Sequence, residues 1–496
     1  MRRVLLAFAA VALVAPASTF AAACDKPADP AGEWPSYGHD LNNSRSQPAE
    51  KVIGTGNAGS LAAAFVYQTP DVSLVQGTPI VDGGCVFVLS QGVTHASQAT
   101  IAALDAKTGA KQWSTTVDEG GTPAYGGSSV GSPALYGDLV IAPFSLQGEP
   151  FVAAFDRNTG VERWRTTVDK QPLEGLNASP VVYDGMVFQG FFGNADADKP
   201  GAPERGGFVL LDAATGALIK KTFVIPDADY AAGYAGAGIW STAAIDTKTG
   251  FAYAGTSNPH NPHHEHDRSD ALLKIDLNRD SAKFGEIVAS YKGMHDTIVP
   301  GAQNQPVCDT KDDVYYAYSF SATCAAIDLD FGASPNLFES GGKKLVGGLQ
   351  KAGIYHIVDT ADMAGVSQTH VGVPCFTCNA ASPAFADGHA LVAGGPPGQL
   401  FSIDATNGLP SWAAPIGGGL TFNPVSVANG VVWTTDPQGY LDGYDQATGL
   451  LLVKRNIQDD TGAAVNSSTS AAGVAIAHNT LYVAAKGFVI AYRPAA

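Results

Sequence analysis

The sequence predicts an all-β chain folded as an eight-bladed β-propeller of four-stranded antiparallel blades. Two repeated elements and one fact of composition predict it. The first element is an apolar residue, Asp, two variable residues, then Thr-Gly and often Trp. It reads Leu104-Asp105 with Thr108-Gly109 and Trp113, and Phe155-Asp156 with Thr159-Gly160 and Trp164. It returns at Leu211-Asp212 with Thr215-Gly216, at Ile403-Asp404 with Asn407-Gly408 and Trp412, and at Tyr444-Asp445 with Thr448-Gly449. Looser copies at Ile275-Asp276, Val358-Asp359 and Ile490-Ala491-Tyr492 bring the set to eight. The second element precedes each copy: a Ser/Thr/Asn-Pro start, an apolar run, an Asp-Gly or Asn-Gly turn and another apolar run. The composition agrees: 57 Gly and only 15% charged residues leave little for coiled coils or long solvated helices.

The local physics makes each repeat one blade. Asp184-Gly185, Asp387-Gly388 and Asn429-Gly430 suit tight hairpins, whose central residues adopt left-handed conformations. Their flanks, such as Val181-Val182 and Met186-Val187-Phe188, are strand-like. The starts are Thr78-Pro79 (leading to Asp82-Gly83), Ser132-Pro133, Ser179-Pro180, Ser382-Pro383 and Asn423-Pro424, with looser runs from Ser241, Asn336 and Ser470. The Asp-x-x-Thr-Gly turn then leads into a fourth strand that carries the Trp. Such a unit cannot bury both faces alone, and radial stacking of eight solves the problem. The repeat length is about 55 residues, within the range of blades with long loops.

Along the chain, residues 1–23 read as an export leader: Arg2 and Arg3, an apolar run from Val4 to Val14, and Ala21-Ala22-Ala23 at the cleavage point. Cys24 at that point is also where a bacterial lipoprotein anchor would attach. Ala21, however, stands where such signals take a branched apolar residue, which favours a simple leader. Residues 24–60 form an N-terminal extension, and 61–496 one propeller domain. The segment Leu61 to Tyr67 is a lone early strand that would complete the last blade and join the termini. A net charge of −17 without basic clusters excludes nucleic acid as the main partner. After the leader, no stretch reaches the ~20 apolar residues of a membrane helix.

Six Cys in an exported chain admit disulfides. Cys308 and Cys324 flank an aromatic run and would close a local loop. Cys375 and Cys378 form a CxxC, read as a loop disulfide or a thiol pair. Asn379 stands where covalent haem attachment needs His, so no covalent haem is expected. By elimination Cys24 and Cys85 pair. The tract His260, His263, His264, Glu265, His266, Asp267 carries ligand types that suit transition metals. Pro259 and Pro262 forbid a helix there, which favours a solvated loop.

Four segments carry a family resemblance: Glu33-Trp34-Pro35-Ser36-Tyr37-Gly38 running on to Arg45, Gly255-Thr256-Ser257-Asn258-Pro259, Asp330-Phe331-Gly332-Ala333-Ser334-Pro335-Asn336-Leu337-Phe338, and Gln350-Lys351-Ala352-Gly353-Ile354-Tyr355. With the repeats, they resemble the pyrroloquinoline quinone (PQQ) propellers, and within them the polyvinyl-alcohol-dehydrogenase-like quinoproteins. The resemblance implies PQQ over the propeller axis, with Ca²⁺ polarising it and a carboxylate taking the proton of an alcohol or polyol substrate. It implies Trp240 as the stacking floor, Asn258 as a Ca²⁺ ligand and Lys351 as the cation on the quinone oxygens. Electrons would pass to a separate acceptor such as a cytochrome.

Departures accompany it. The family's base segment reads His-Asp-x-Trp-Asp, whereas here it reads His295-Asp296-Thr297-Ile298-Val299, leaving Asp296 as the substitute base. The family's Glu ligand should follow the inner strands of the third blade. Asn194 stands after Phe191-Phe192-Gly193, and Glu204 comes only beyond an insertion. The adjacent Cys pair of many relatives is absent. Two readings follow: an exported PQQ- and Ca²⁺-dependent alcohol dehydrogenase, or a non-catalytic propeller acting as a binding or assembly scaffold at the cell envelope.

Overall fold

The computed structural model describes residues 24–70, 74–91, 98–118, 131–146, 148–193, 204–260, 265–294, 329–374, 378–417, 422–465 and 473–495. Eight antiparallel sheets run from an inner to an outer strand. Blades 1 to 7 span residues 80–118, 134–167, 181–223, 244–292, 336–370, 384–415 and 426–456. Blade 8 takes Val474–Ala477, Thr480–Ala485 and Phe488–Pro494 from the end of the chain and Leu61–Gln68 as its outermost strand. Leu61 lies opposite Pro494 and Gln68 opposite Phe488, so the early strand closes the ring as its sequence implies. The irregular copy near Asp359 is a full blade. Helix among the described residues is limited to Asp227–Ala231, Ile457–Thr461 and a 3₁₀ turn at Ala58–Ser60.

The repeated turn does two jobs. Asp105 Oδ1 accepts the N–H of Lys107 and of Thr108 and the Thr108 hydroxyl, which folds the chain back on itself. Asp156 and Asp445 repeat the pattern. The Gly that ends the turn has a positive φ, 71° at Gly160, a conformation that side chains resist. That Gly also receives the Trp of the preceding blade: a Cβ on Gly160 would lie 2.5 Å from Trp113, and one on Gly216 2.5 Å from Trp164. The Trp113 indole N–H donates to Arg157 O across the same seam. At the ring closure Phe65 takes the place of Trp, packed against Gly109.

Hairpin turns fall where expected, with Asp184 at φ 49° and Gly185 at φ 67°. Blade 1 differs by one residue, since Asp82 remains in its strand and Gly83-Gly84 make the turn. In blades 4 and 5, Thr242 and Ser334 occupy the hydroxyl position at the start of the inner strand. The looser starts at Ser241 and Asn336 are thereby corrected by one and two positions. Second strands are buried along most of their length, wholly so in Cys85–Gln91 and Met186–Gly193, because blades cover both their faces. Outermost strands alternate, as Lys111–Asp118 does.

Residues 24–60 are packed into the ring. Leu41 O, Asn42 O, Ser44 O and Arg45 O accept N–H bonds from Ile245, Leu337, Phe385 and Val427, one on each inner strand of blades 4 to 7. Asn43 Nδ2 donates to Thr242 O and Pro335 O. Arg45 is fully buried and donates to Val425 O, Tyr37 O, Thr78 Oγ1 and Ser426 Oγ. This segment is an axial plug. Cys24 and Cys85 form a disulfide across 61 residues of sequence, tying the plug's start to blade 1. Cys378 is also disulfide-bonded. Cys308, Cys324 and Cys375 lie outside the described residues.

Candidate functional site

Three of the four predicted site residues come together, and a fourth residue joins them. Trp240 precedes the inner strand of blade 4, Asn258 follows its second strand, and Lys351 follows the second strand of blade 5. All three meet at Asp330. Its Oδ2 accepts the Trp240 indole N–H at 2.8 Å and Lys351 Nζ at 3.3 Å. Its Oδ1 accepts the Asn258 backbone N–H at 2.9 Å, and its carbonyl accepts the Lys351 N–H at 2.9 Å. Lys351 Nζ also stands 5.2 Å from the Trp240 ring centroid, a cation–π distance. Asp330 and Lys351 are both nearly buried, so their attraction is little screened. Asp296 lies outside the described residues.

The indole is held by what is missing around it. A Cβ on Gly332 would lie 2.3 Å from Trp240 Cζ2 and Cη2, so only glycine leaves room for the ring there. Trp240 is half-buried and lines a cavity on the propeller axis with Gly332, Ala380 and Phe422. Behind Lys351, Asn379 Nδ2 donates to Lys351 O at 3.1 Å and Asn379 Oδ1 accepts the Gly395 N–H. The residue that rules out the haem motif thus pins the lysine's backbone. Gln350, next in sequence to Lys351, makes a two-point clamp on Met294: it accepts the N–H at 2.9 Å and donates to the carbonyl at 2.8 Å. His356 is fully buried beneath it, bonded to Gln350 Oε1 through Nε2 and to the Tyr291 hydroxyl through Nδ1. Burial, and then the charge of His370, lower its pKa to about 3, so the ring is neutral.

Glu204, read as displaced by an insertion, returns to this side of the ring. Its backbone carbonyl accepts the Gly236 N–H, and Gly236 is bridged in turn to Pro259. One carboxylate oxygen accepts the Leu173 N–H, while Oε2 is buried with no hydrogen-bond partner among the described residues. A Cβ on Gly193 would meet that Oε2 at 2.8 Å and His260 Cε1 at 3.2 Å, so the free oxygen faces the Asn258-Pro259-His260 turn. Burial raises the Glu204 pKa, with Asp169 adding to it. An orphaned carboxylate oxygen beside a turn that carries a neutral amide fits a hard cation, provided a bound ligand supplies further oxygens. Among the described residues no group of three or more His, Cys, Asp or Glu side chains is arranged to hold a metal by itself. In the His tract, His266 Nε2 bonds Asp229 and Nδ1 accepts the Arg268 N–H, while Glu265 pairs with Lys292. Those described members are engaged in structural contacts.

A family model described as outer membrane protein assembly factor BamB matches residues 64–217, which end before Trp240. The chain is 28% identical over 267 residues to a polyvinylalcohol dehydrogenase of a Pseudomonas species, covering 49% of this chain and 39% of the relative. A polyvinylalcohol dehydrogenase from a Sphingopyxis species is 26% identical over 273 residues, covering 51% and 39%. These alignments span about two fifths of the curated relatives' length. Among solved structures, a quinohemoprotein alcohol dehydrogenase from Pseudomonas putida superposes with a TM-score of 0.70 at 16% identity, over 95% of this chain and 81% of that one. By sequence over about half its length the chain is similar to polyvinylalcohol dehydrogenases, and over nearly all of it the chain shares the β-propeller fold of a quinohemoprotein alcohol dehydrogenase.

Proposed function

We propose that the chain is an exported, PQQ- and Ca²⁺-dependent dehydrogenase that oxidises an alcohol or polyol and hands electrons to a separate acceptor. The observation that carries the reading is the meeting of Trp240, Asp330 and Lys351 on the propeller axis, with Asn258 bonded to the same carboxylate. Trp240 offers a flat face for a planar ring system. Lys351 offsets negative charge that develops on a ligand above it. Glu204 and Asn258 are the residues that would hold Ca²⁺. When bound, the quinone supplies the hydride acceptor. The residues of this chain handle the proton: Asp330 takes it from the substrate hydroxyl as the C–H bond breaks. Asp330 is preferred to Asp296 as the base because its carboxylate is bonded to the three other residues. Export is supported by the leader-like residues 1–23 and by the Cys24–Cys85 bridge, which suits an oxidising compartment. That bridge also occupies the sulfur a lipid anchor would need.

The scaffold reading has one observation in its favour, the BamB-type match. That match ends before the fourth strand of blade 3 and includes Glu204 but none of Trp240, Asn258, Asp330 and Lys351, so it bears chiefly on the fold. The test is reconstitution of the purified chain with PQQ and Ca²⁺, followed by dye reduction with a panel of alcohols. Turnover with any alcohol supports the enzyme. A folded chain that binds no PQQ at saturating Ca²⁺ leaves the scaffold.

A further inference from the structure

We propose that the axial cavity beside Trp240 is a binding site for a small monatomic anion such as chloride. Its wall carries Asn177, Ser179, Thr242, Ser334 and Ser382, one or two residues from each of four successive blades, and Tyr37 from the plug. The hydroxyl oxygens are already acceptors. Ser179 Oγ takes the Ser132 N–H at 2.8 Å, Thr242 Oγ1 the Ser179 N–H at 3.0 Å, and Ser334 Oγ the Thr242 N–H at 2.9 Å. Ser382 Oγ takes both the Ser334 N–H at 2.9 Å and the Tyr37 hydroxyl at 2.7 Å. A hydroxyl has one proton to give. None of these four gives it to a protein acceptor among the described residues, which leaves four O–H donors for whatever occupies the cavity.

Asn177 adds to the same imbalance. Among the described residues its buried Oδ1 has no partner and its amide makes no hydrogen bond. A half-turn about its last bond exchanges oxygen for NH₂, so the amide can add donors facing the cavity. A water there must place its two protons on Asn177 Oδ1 or on the second lone pair of a hydroxyl oxygen that already accepts an N–H. An anion accepts from every donor. Its charge is answered by Arg45, fully buried behind Tyr37 with its guanidinium 5.0 Å from that ring. Among the described residues the Arg45 bonds go to carbonyl and hydroxyl oxygens, and no carboxylate pairs with it. The site stands whether or not the chain binds a quinone.

Bromide is the probe. The unfolding midpoint of the full chain should rise along a saturating curve with bromide at constant ionic strength, gluconate replacing it. Crystals grown with bromide should show one anomalous peak in the cavity, within hydrogen-bonding distance of at least three of the four hydroxyls. Asn177→Asp is the matching variant. It touches no protein partner, and its carboxylate supplies an acceptor from within, so the bromide response should vanish while the fold persists. Ser334→Ala should weaken the response by at least several-fold; if that chain fails to fold, Asn177→Asp and Asn177→Ala carry the test. Water alone in the cavity, or an equal bromide response in wild type and Asn177→Asp, overturns the proposal.

Discussion

Asp330 is bonded to Trp240, Lys351 and Asn258 at once, so each of its oxygens has a distinct effect on the site. Replacing it by Asn keeps the shape and removes the charge. Asp330→Asn should leave PQQ binding within a few-fold of wild type and lower kcat by at least 100-fold, in the range typical of a lost general base. Asp296→Asn should retain most of its turnover; the opposite ranking in stopped-flow assays would move the base to Asp296. Gly332→Ala tests the indole's seat, since its new methyl carbon would lie 2.3 Å from the ring. It should weaken PQQ binding several-fold and also lower the unfolding midpoint, because the ring must give way. Trp240, Asn258 and Lys351 were legible because their neighbours match a family pattern. Asp330 lies inside a segment that carries the resemblance, but nothing in its sequence spacing marks it as the carboxylate that Trp240, Asn258 and Lys351 meet. Spacing from His295 points to Asp296, and a pattern read in sequence does not report which carboxylate meets the Trp in space. Glu204 escapes such a pattern because the insertion lengthens the path in sequence while its end returns beside the Pro259 turn.

At the scale of elements, the repeat was readable because its turn chemistry is local and its Trp is conspicuous. The docking of each Trp onto the next blade's Gly was not readable, since it links residues about 45 positions apart. It predicts that Gly160→Ala costs about 2 kcal/mol or more, from the positive φ and the contact with Trp113 together. Chemical denaturation of that variant measures it, and Gly341→Ala, also at positive φ but with open space beside it, separates strain from contact. Blade 7 carries a pH signature. Burial pushes the Asp442 carboxyl up to about 6, against the pull of Lys454 and aided by Asp436. Its folded pKa exceeds the unfolded 3.8, so below that value its contribution is full, and stability is lost as pH rises from about 4 to 6. Asp442→Asn should flatten that portion of the stability–pH curve, and an unchanged slope would assign it to other groups.

The whole molecule is closed twice, by the strand Leu61–Gln68 at the rim and by the plug at the axis. The strand was visible in the sequence as an unpaired apolar run. The plug read only as an extension, because its bonds run from backbone carbonyls to inner strands 200 to 390 residues away and leave no local pattern. Arg45→Ala would leave several buried oxygens without donors and should lower stability by about 3 kcal/mol. Breaking the Cys24–Cys85 bridge, whose chain-entropy value for a loop of this length is about 4 kcal/mol, should loosen the plug from blade 1 first. The quinone reading rests on the face that this closed ring presents at Trp240. Equilibrium dialysis of PQQ against the purified chain in Ca²⁺, wild type beside Trp240→Ala, tests it most directly. The account predicts one PQQ per wild-type chain and an affinity lower by at least several-fold in the variant. Equal binding by the two, or none by a folded wild type, contradicts it.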